Sequence, residues 1–232
     1  MKKGFADTFV TITSLAYLLL GVSCLTTAAT APIWLILLAT DLSQTWPALL
    51  LAAPLAGPAT YAAFACFADH TDGGLKVVSV YLRAWREGVR RAGPLGLAVT
   101  ALVAVVVVDV IGLAGSPAGA LAAPVLAMTG ACGLASFFIA VAAAQEFAAL
   151  RRLALIKASL YCAIRHGGWS LISLAALALW VAFLSRGAIW SLAAVLGPVL
   201  YLVWANSRHS LTPVRATIAL APPPPAPKPD LN

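Results

Sequence analysis

The chain has 232 residues, of which 62% are hydrophobic and 10% charged, with a formal net charge of +7 and a mean hydropathy of +0.94. A water-soluble domain carries about 25% charged residues, so this chain cannot coat a water-facing surface. Soluble enzymes, nucleic-acid-binding domains and secreted disulfide scaffolds are excluded, and the length accommodates roughly six spans of about 20 residues.

The first apolar run covers 9–40, with Pro32 as the expected kink, and stops at Asp41. Lys2, Lys3 and Ala29-Thr30-Ala31 imitate a cleavable signal. The run continues through Ile33 to Ala39, however, so it is expected to remain as a span. The second span starts at Pro47 and covers 47–68. The third (94–114) and fourth (118–149) are joined by Gly115-Ser116-Pro117 as a tight hairpin. The fifth covers 168–184 and the sixth 187–205, with Ser185-Arg186 between them. Continuous apolar runs without strand-like alternation exclude a β-barrel. The expected fold is an all-α polytopic membrane protein of about six transmembrane helices in three antiparallel hairpins. It forms a single membrane domain over 1–214.

Fourteen of the fifteen Lys and Arg residues fall on one side of this arrangement, with Arg186 alone on the other. By the positive-inside rule both termini are cytoplasmic.

The inner connections carry two amphipathic interfacial helices, at 75–91 and 151–166. In the first, Val78, Tyr81, Leu82, Trp85 and Val89 share a face. Lys76, Arg83, Arg86, Arg90 and Arg91 supply a basic face for a partner or for anionic lipid head groups. Arg83 and Glu87 have the i, i+4 spacing of an ion pair. In the second, Leu153, Ile156, Leu160 and Ile164 form the apolar face, with Arg151, Arg152 and Arg165 outside it. Residues 215–232 form a proline-rich tail, expected to be disordered, with P-x-x-P spacing that suits an aromatic groove.

Gly57-Pro58-x-x-Tyr61 and Gly197-Pro198-x-x-Tyr201 repeat a pattern completed by an aromatic residue and an alanine. Gly-Pro interruptions at matching positions in two spans point to a transport site. Alternatively, they let helices cross closely. Asp109 is the acid well inside an apolar run, a candidate proton relay, cation site or counter-ion with Arg186 as partner. The plainer reading is an interfacial carboxyl bonded to Ser116 or Thr129. Gln145 and Glu146 close the fourth span, where Glu146 can face Arg151 or Arg152. Asp69-His70-Thr71-Asp72 reads as a turn, and the four cysteines, widely spaced, read as packing residues. No H-E-x-x-H, G-x-S-x-G or Walker loop occurs, so neither an enzyme nor a metal or cofactor site is expected.

Three elements in order carry a resemblance: Gly57-Pro58-Ala59-Thr60, the segment Tyr81-Leu82-Arg83-Ala84-Trp85-Arg86, and a span with Asp109 near its outer end. They are similar to the YesL-like family of small bacterial membrane proteins. Leu200 to Leu211 looks like the end of that family's high-GC-genome branch. The chain differs from shorter members by its extra apolar run and the Trp46-Pro47 connection before Gly57. The resemblance implies a bacterial inner-membrane protein without assigned chemistry, an accessory or regulatory companion of carbohydrate uptake whose partner is a sugar ABC-transporter permease. The readings to weigh against it are a small secondary carrier using Asp109 and the Gly-Pro breaks, and a scaffold recruiting partners through its cytoplasmic helices or tail.

Overall fold

A computed structural model describes residues 2–39, 42–74, 76–147, 152–187 and 190–219. Among these residues all regular structure is helical. In chain order the helices are α1 (Lys2–Ala29), α2 (Ala31–Ala39), α3 (Leu42–Ala52) and α4 (Ala56–Thr71), the last two joined by a 3-10 turn at Ala53–Leu55. There follow α5 (Val77–Arg91), α6 (Gly93–Gly112), α7 (Pro117–Glu146), α8 (Arg152–Arg165) and α9 (Gly167–Ser185). The chain continues with α10 (Ser191–Ala194), α11 (Leu196–Ser210) and α12 (Thr212–Ala219).

Five helical stretches among the described residues are long and apolar enough to cross a membrane: Thr11–Ala29, Thr45–Thr71, Gly93–Gly112, Pro117–Glu146 and Gly167–Ser185. The chain is thus a multi-pass helical membrane protein. Its last apolar segment is divided at Val195 into α10 and α11, and helix continues to Ser210, beyond the expected end at 205. The first run also divides, at Thr30, whose Oγ1 donates to Thr26 O at 2.7 Å, and Pro32 then lies in the first turn of α2. Pro47, expected to open a helix, lies inside α3. The actual break comes at Ala53-Pro54-Leu55, where Pro54 ends the ladder.

Local chemistry sets the ends. Gly115, with φ +81°, turns the chain between α6 and α7. Ser116 then caps α7 by accepting from Gly119 N at 3.0 Å, with Pro117 as first helical residue. Between α4 and α5, Gly73 adopts φ +89° and Gly74 N donates to Asp69 O at 2.9 Å; Asp69, His70 and Thr71, expected as a turn, are the last residues of α4, and the turn itself is Asp72-Gly73.

The core is a layer of small and aromatic residues. α4 is buried from Gly57 to Phe64, and α7 is buried from Phe137 to Ala144. Phe64 packs on Phe138, and Phe67 meets Tyr201 edge-on at 5.3 Å and Trp204 at 5.7 Å. By contrast α6 and α9 present Val105, Val108, Ile111, Leu171, Leu179 and Phe183 outward, as lipid-facing helices do.

The two amphipathic helices exist, but both fold back on the helix that precedes them. α5 runs antiparallel to α4: Gly88 sits against Pro58 and Tyr61 at one end, and Cys66 Sγ donates to Val77 O at the other. α8 folds back along the second half of α7, where Ile156 and Leu160 share a groove with Gly133 and Ala140. The apolar residues read as one face divide between the bundle and the surface. In α5 the buried line is Val77, Tyr81, Ala84 and Gly88, whereas Val78, Leu82 and Val89 are exposed. In α8 the buried residues include Leu155, Ser159, Cys162 and Ala163, whereas Leu153, Ile156, Leu160 and Ile164 are exposed. Small residues take the protein-facing side because lipid tails are as apolar as any side chain and close backbone approach is what favours helix contact. Two units therefore share one plan, helix, fold-back, helix: α4–α5–α6 and α7–α8–α9. Each fold-back ends in Arg-x-Gly, at Arg91-Ala92-Gly93 and Arg165-His166-Gly167.

The helical bundle continues past the expected boundary at Val214, because α12 runs to Ala219. The remainder of the proline tail, with Asp41 and Arg151, lies outside the described residues, as do the side chains of Lys2, Lys3 and Arg152.

Candidate functional site

The end of α7 joins elements far apart in the chain. Arg91 Nη1 of α5 donates to Ala144 O at 3.4 Å. Gln145 Nε2 donates to the Tyr61 carbonyl of α4 at 2.6 Å. Glu146 accepts from Arg208 Nε of α11 at 2.9 Å and from Arg215 Nε of α12 at 2.7 Å. Successive helical residues point about 100° apart, so three neighbours in sequence reach three different directions. The expected pairing with Arg151 or Arg152 falls outside the described residues; among these, Arg208 and Arg215 are the partners of Glu146. Its partners lie 62 and 69 residues away, a separation at which helix spacing carries no signal. Arg208 also lies over the Trp204 ring at 5.0 Å.

Beside this knot, α4, α5 and α7 enclose a polar groove of ≈ 280 Å³ lined by Tyr61, Asp69, Asp72, Arg83, Glu87 and Gln145. Glu87 pairs with Arg91 at 2.9 Å and not with Arg83. The five-residue basic face expected on α5 is thereby divided. Arg91 is engaged inside the bundle. Lys76, Arg83, Arg86 and Arg90 are exposed, and among the described residues neither Arg83 nor Arg86 makes a salt bridge.

α5 consequently has three faces. The buried one is fixed by Gly88 and by Tyr81, whose hydroxyl donates to Thr26 Oγ1 at 3.4 Å. Burial pushes the Tyr81 phenol well above its usual range. Val78, Leu82 and Val89 form an apolar face and Arg83, Arg86 and Arg90 a charged one. That order (protein, apolar, basic) suits a helix held where a bundle, a lipid phase and water meet.

The two Gly-Pro pairs hold equivalent places. Gly57-Pro58 and Gly197-Pro198 are the second and third residues of α4 and α11, directly after a break. At that position proline forfeits no helical hydrogen bond, so neither pair opens a helix from within. Both glycines mark close crossings. A Cβ on Gly57 would lie 2.7 Å from Ala92 O, and one on Gly197 would lie 2.2 Å from Leu19 O. Gly197 N–H donates to Ser23 Oγ at 2.7 Å, so α11 is capped by a side chain of α1. Tyr61 and Tyr201 both join the core layer, Tyr61 against Gly88 and Tyr201 against Phe67 and Trp204. This is the close-crossing arrangement, without the opened helix a transport site would use.

Asp109 lies one turn before the end of α6 and is half-buried; Arg186 is exposed beyond α9, and the two form no salt bridge. Neither alternative partner reaches Asp109: Ser116 donates to Leu113 O and Thr129 to Val125 O. Sequence reading missed the Glu146–Arg208–Arg215 cluster. The one available signal was an acid at the end of an apolar run in a chain with arginines just after its last apolar run. Compared with known proteins, the chain matches no family model, no curated protein and no solved structure.

Proposed function

We propose that this chain is a non-enzymatic accessory or regulatory subunit of carbohydrate uptake in the bacterial inner membrane, crossing it six times with both termini in the cytoplasm. Its partner is the permease of a sugar ABC transporter. The observation that carries the reading is the three-faced α5. The helix is anchored to the bundle through Gly88, Tyr81 and Arg91, while Arg83 and Arg86 stand exposed beside the apolar Leu82 and Val89. A charged row held this way is a docking surface whose register is set by the bundle. The YesL-like resemblance supplies the class of partner. The six-crossing topology rests on the basic residues: with α10 and α11 as a last crossing, Arg208 and Arg215 join Lys76, Arg83 and Arg86 on one side.

The test is affinity purification of the tagged chain from its native membrane in mild detergent, beside an Arg83→Glu, Arg86→Glu double variant. Arg91 is left intact because it holds α5 to α7. Both proteins must first be found in the membrane fraction at equal level. Co-purification of a sugar-transport permease with the wild type, lost by about tenfold or more in the variant, is expected. A chain that emerges free of any permease, or a permease retained equally by both, overturns the proposal.

A further inference from the structure

The surface between α6, α7 and α8 is not flat. Two adjoining hollows of ≈ 190 and ≈ 370 Å³ share Leu102, Gly133 and Leu160 as common walls, and so form one groove. The groove extends along α7 from Val125 to Ala140, about 22 Å at the helical rise of 1.5 Å per residue. Its lining is mostly apolar, with Ser136, Ser159 and Thr129 as the polar side chains, and Val125 and Met128 on its rim are 65% and 69% exposed. Both long walls, α6 and α7, are membrane-crossing by length and composition, so the groove opens to hydrocarbon and not to water. A narrow apolar channel longer than half the roughly 30 Å hydrocarbon core has the dimensions of a single extended acyl chain.

Charge beside the groove specifies the rest of the molecule. Lys157 lies within the exposed apolar row Leu153, Leu160 and Ile164 of α8, one residue from the groove wall Ile156. It is exposed and has no carboxylate partner among the described residues. A lysine so placed lays its stem along the apolar row and lifts its ammonium to the head-group level.

We propose that the groove between α6, α7 and α8 is a binding site for one acyl chain of an anionic glycerophospholipid whose phosphate is met by Lys157. The site is separate from the exposed arginines of α5 and does not depend on any transporter partner. It joins the two fold-back units, because α6 belongs to the first and α7 and α8 to the second. A bound lipid there fills the seam between them.

The full-length protein is to be reconstituted into nanodiscs of equimolar phosphatidylglycerol and phosphatidylcholine, released in the mass spectrometer and scored for retained lipid. Beside the wild type stand Ala98→Trp, which fills the groove from an exposed position, and Lys157→Gln. Each variant must first match the wild-type elution volume in detergent. One retained phosphatidylglycerol is expected on the wild type, preferred over phosphatidylcholine by about fivefold, the scale set by one lysine at an anionic surface. Ala98→Trp is expected to lose the retained lipid, and Lys157→Gln to keep a lipid without the preference. Equal retention of both lipids by the wild type overturns the assignment of the phosphate to Lys157. Undiminished retention by Ala98→Trp overturns the groove as the site.

Discussion

Gly197 and Gly112 are both glycines of apolar helices, yet a methyl group meets different surroundings at each. At Gly197 the added carbon would lie 2.2 Å from the Leu19 carbonyl oxygen and 2.6 Å from Ser23 Oγ, so α1 and α11 would have to part. At Gly112 nothing stands within 4 Å. Gly197→Ala is therefore expected to destabilise the protein by about 1–3 kcal/mol, the usual cost of overpacking. Gly112→Ala is expected to stay within about 0.5 kcal/mol of wild type, as a surface substitution does. Thermal unfolding in one detergent measures both, and equal midpoints for the two variants would contradict the crossing. The sequence pattern exposed the Gly-Pro repeat because identical residues at identical spacing are visible without coordinates. That each pair follows a break, at Ala53–Leu55 and at Val195, and does not open a helix from within was not visible, since the residues of those breaks resemble their surroundings.

Among the elements, α12 shares with α11 the carboxylate that ties it to α7. Glu146 receives both Arg208 and Arg215, and Arg215 is the ion-pair link from α12 to the bundle among the described residues. Glu146→Gln keeps the shape but removes the charge, leaving two half-exposed guanidinium groups without a counter-ion. The expected loss is about 1–3 kcal/mol, between the values for exposed and buried pairs. Hydrogen exchange is expected to rise over 212–219 while α4 stays protected. Uniform exchange at α12 in both proteins would show that Arg215 does not hold it. The existence of α5 and α8 was legible from their periodicity, but which side chains each buries against its neighbour was not. A periodic apolar stripe marks the inside of a protein in water. In lipid the same stripe at Leu153, Ile156, Leu160 and Ile164 faces outward, and Ser159, Cys162 and Ala163 turn in because they are small.

For the whole molecule the prediction is that the divided segment α10–α11 is a sixth crossing. Together, residues 191–210 extend about 30 Å if helical throughout, which equals the hydrocarbon core. A sixth crossing puts both termini on the same face; five crossings put them on opposite faces. Green fluorescent protein fused after Ser210 is expected to fluoresce, and alkaline phosphatase fused after Arg186 to be active. An active phosphatase at Ser210 would remove the sixth crossing and place Arg208 and Arg215 outside. The helical membrane class was legible from composition alone, because the lack of charge leaves no other solvent for the surface. The long-range ties at the end of α7 were not legible, since a helix end shows which groups await a partner but not which helix brings it.

Those ties also restrict how the molecule can move. Because Ala144, Gln145 and Glu146 are consecutive, turning α7 by one residue swings every one of their bonds through about 100° at once, and none can be kept by yielding another. The end of α7 thus acts as a key in a lock with a single angular setting, and the α4–α5 and α11–α12 sides must travel with it. Any rocking of one half of the bundle against the other must leave this end fixed and displace the far end of α6, where no residue after Thr100 is buried.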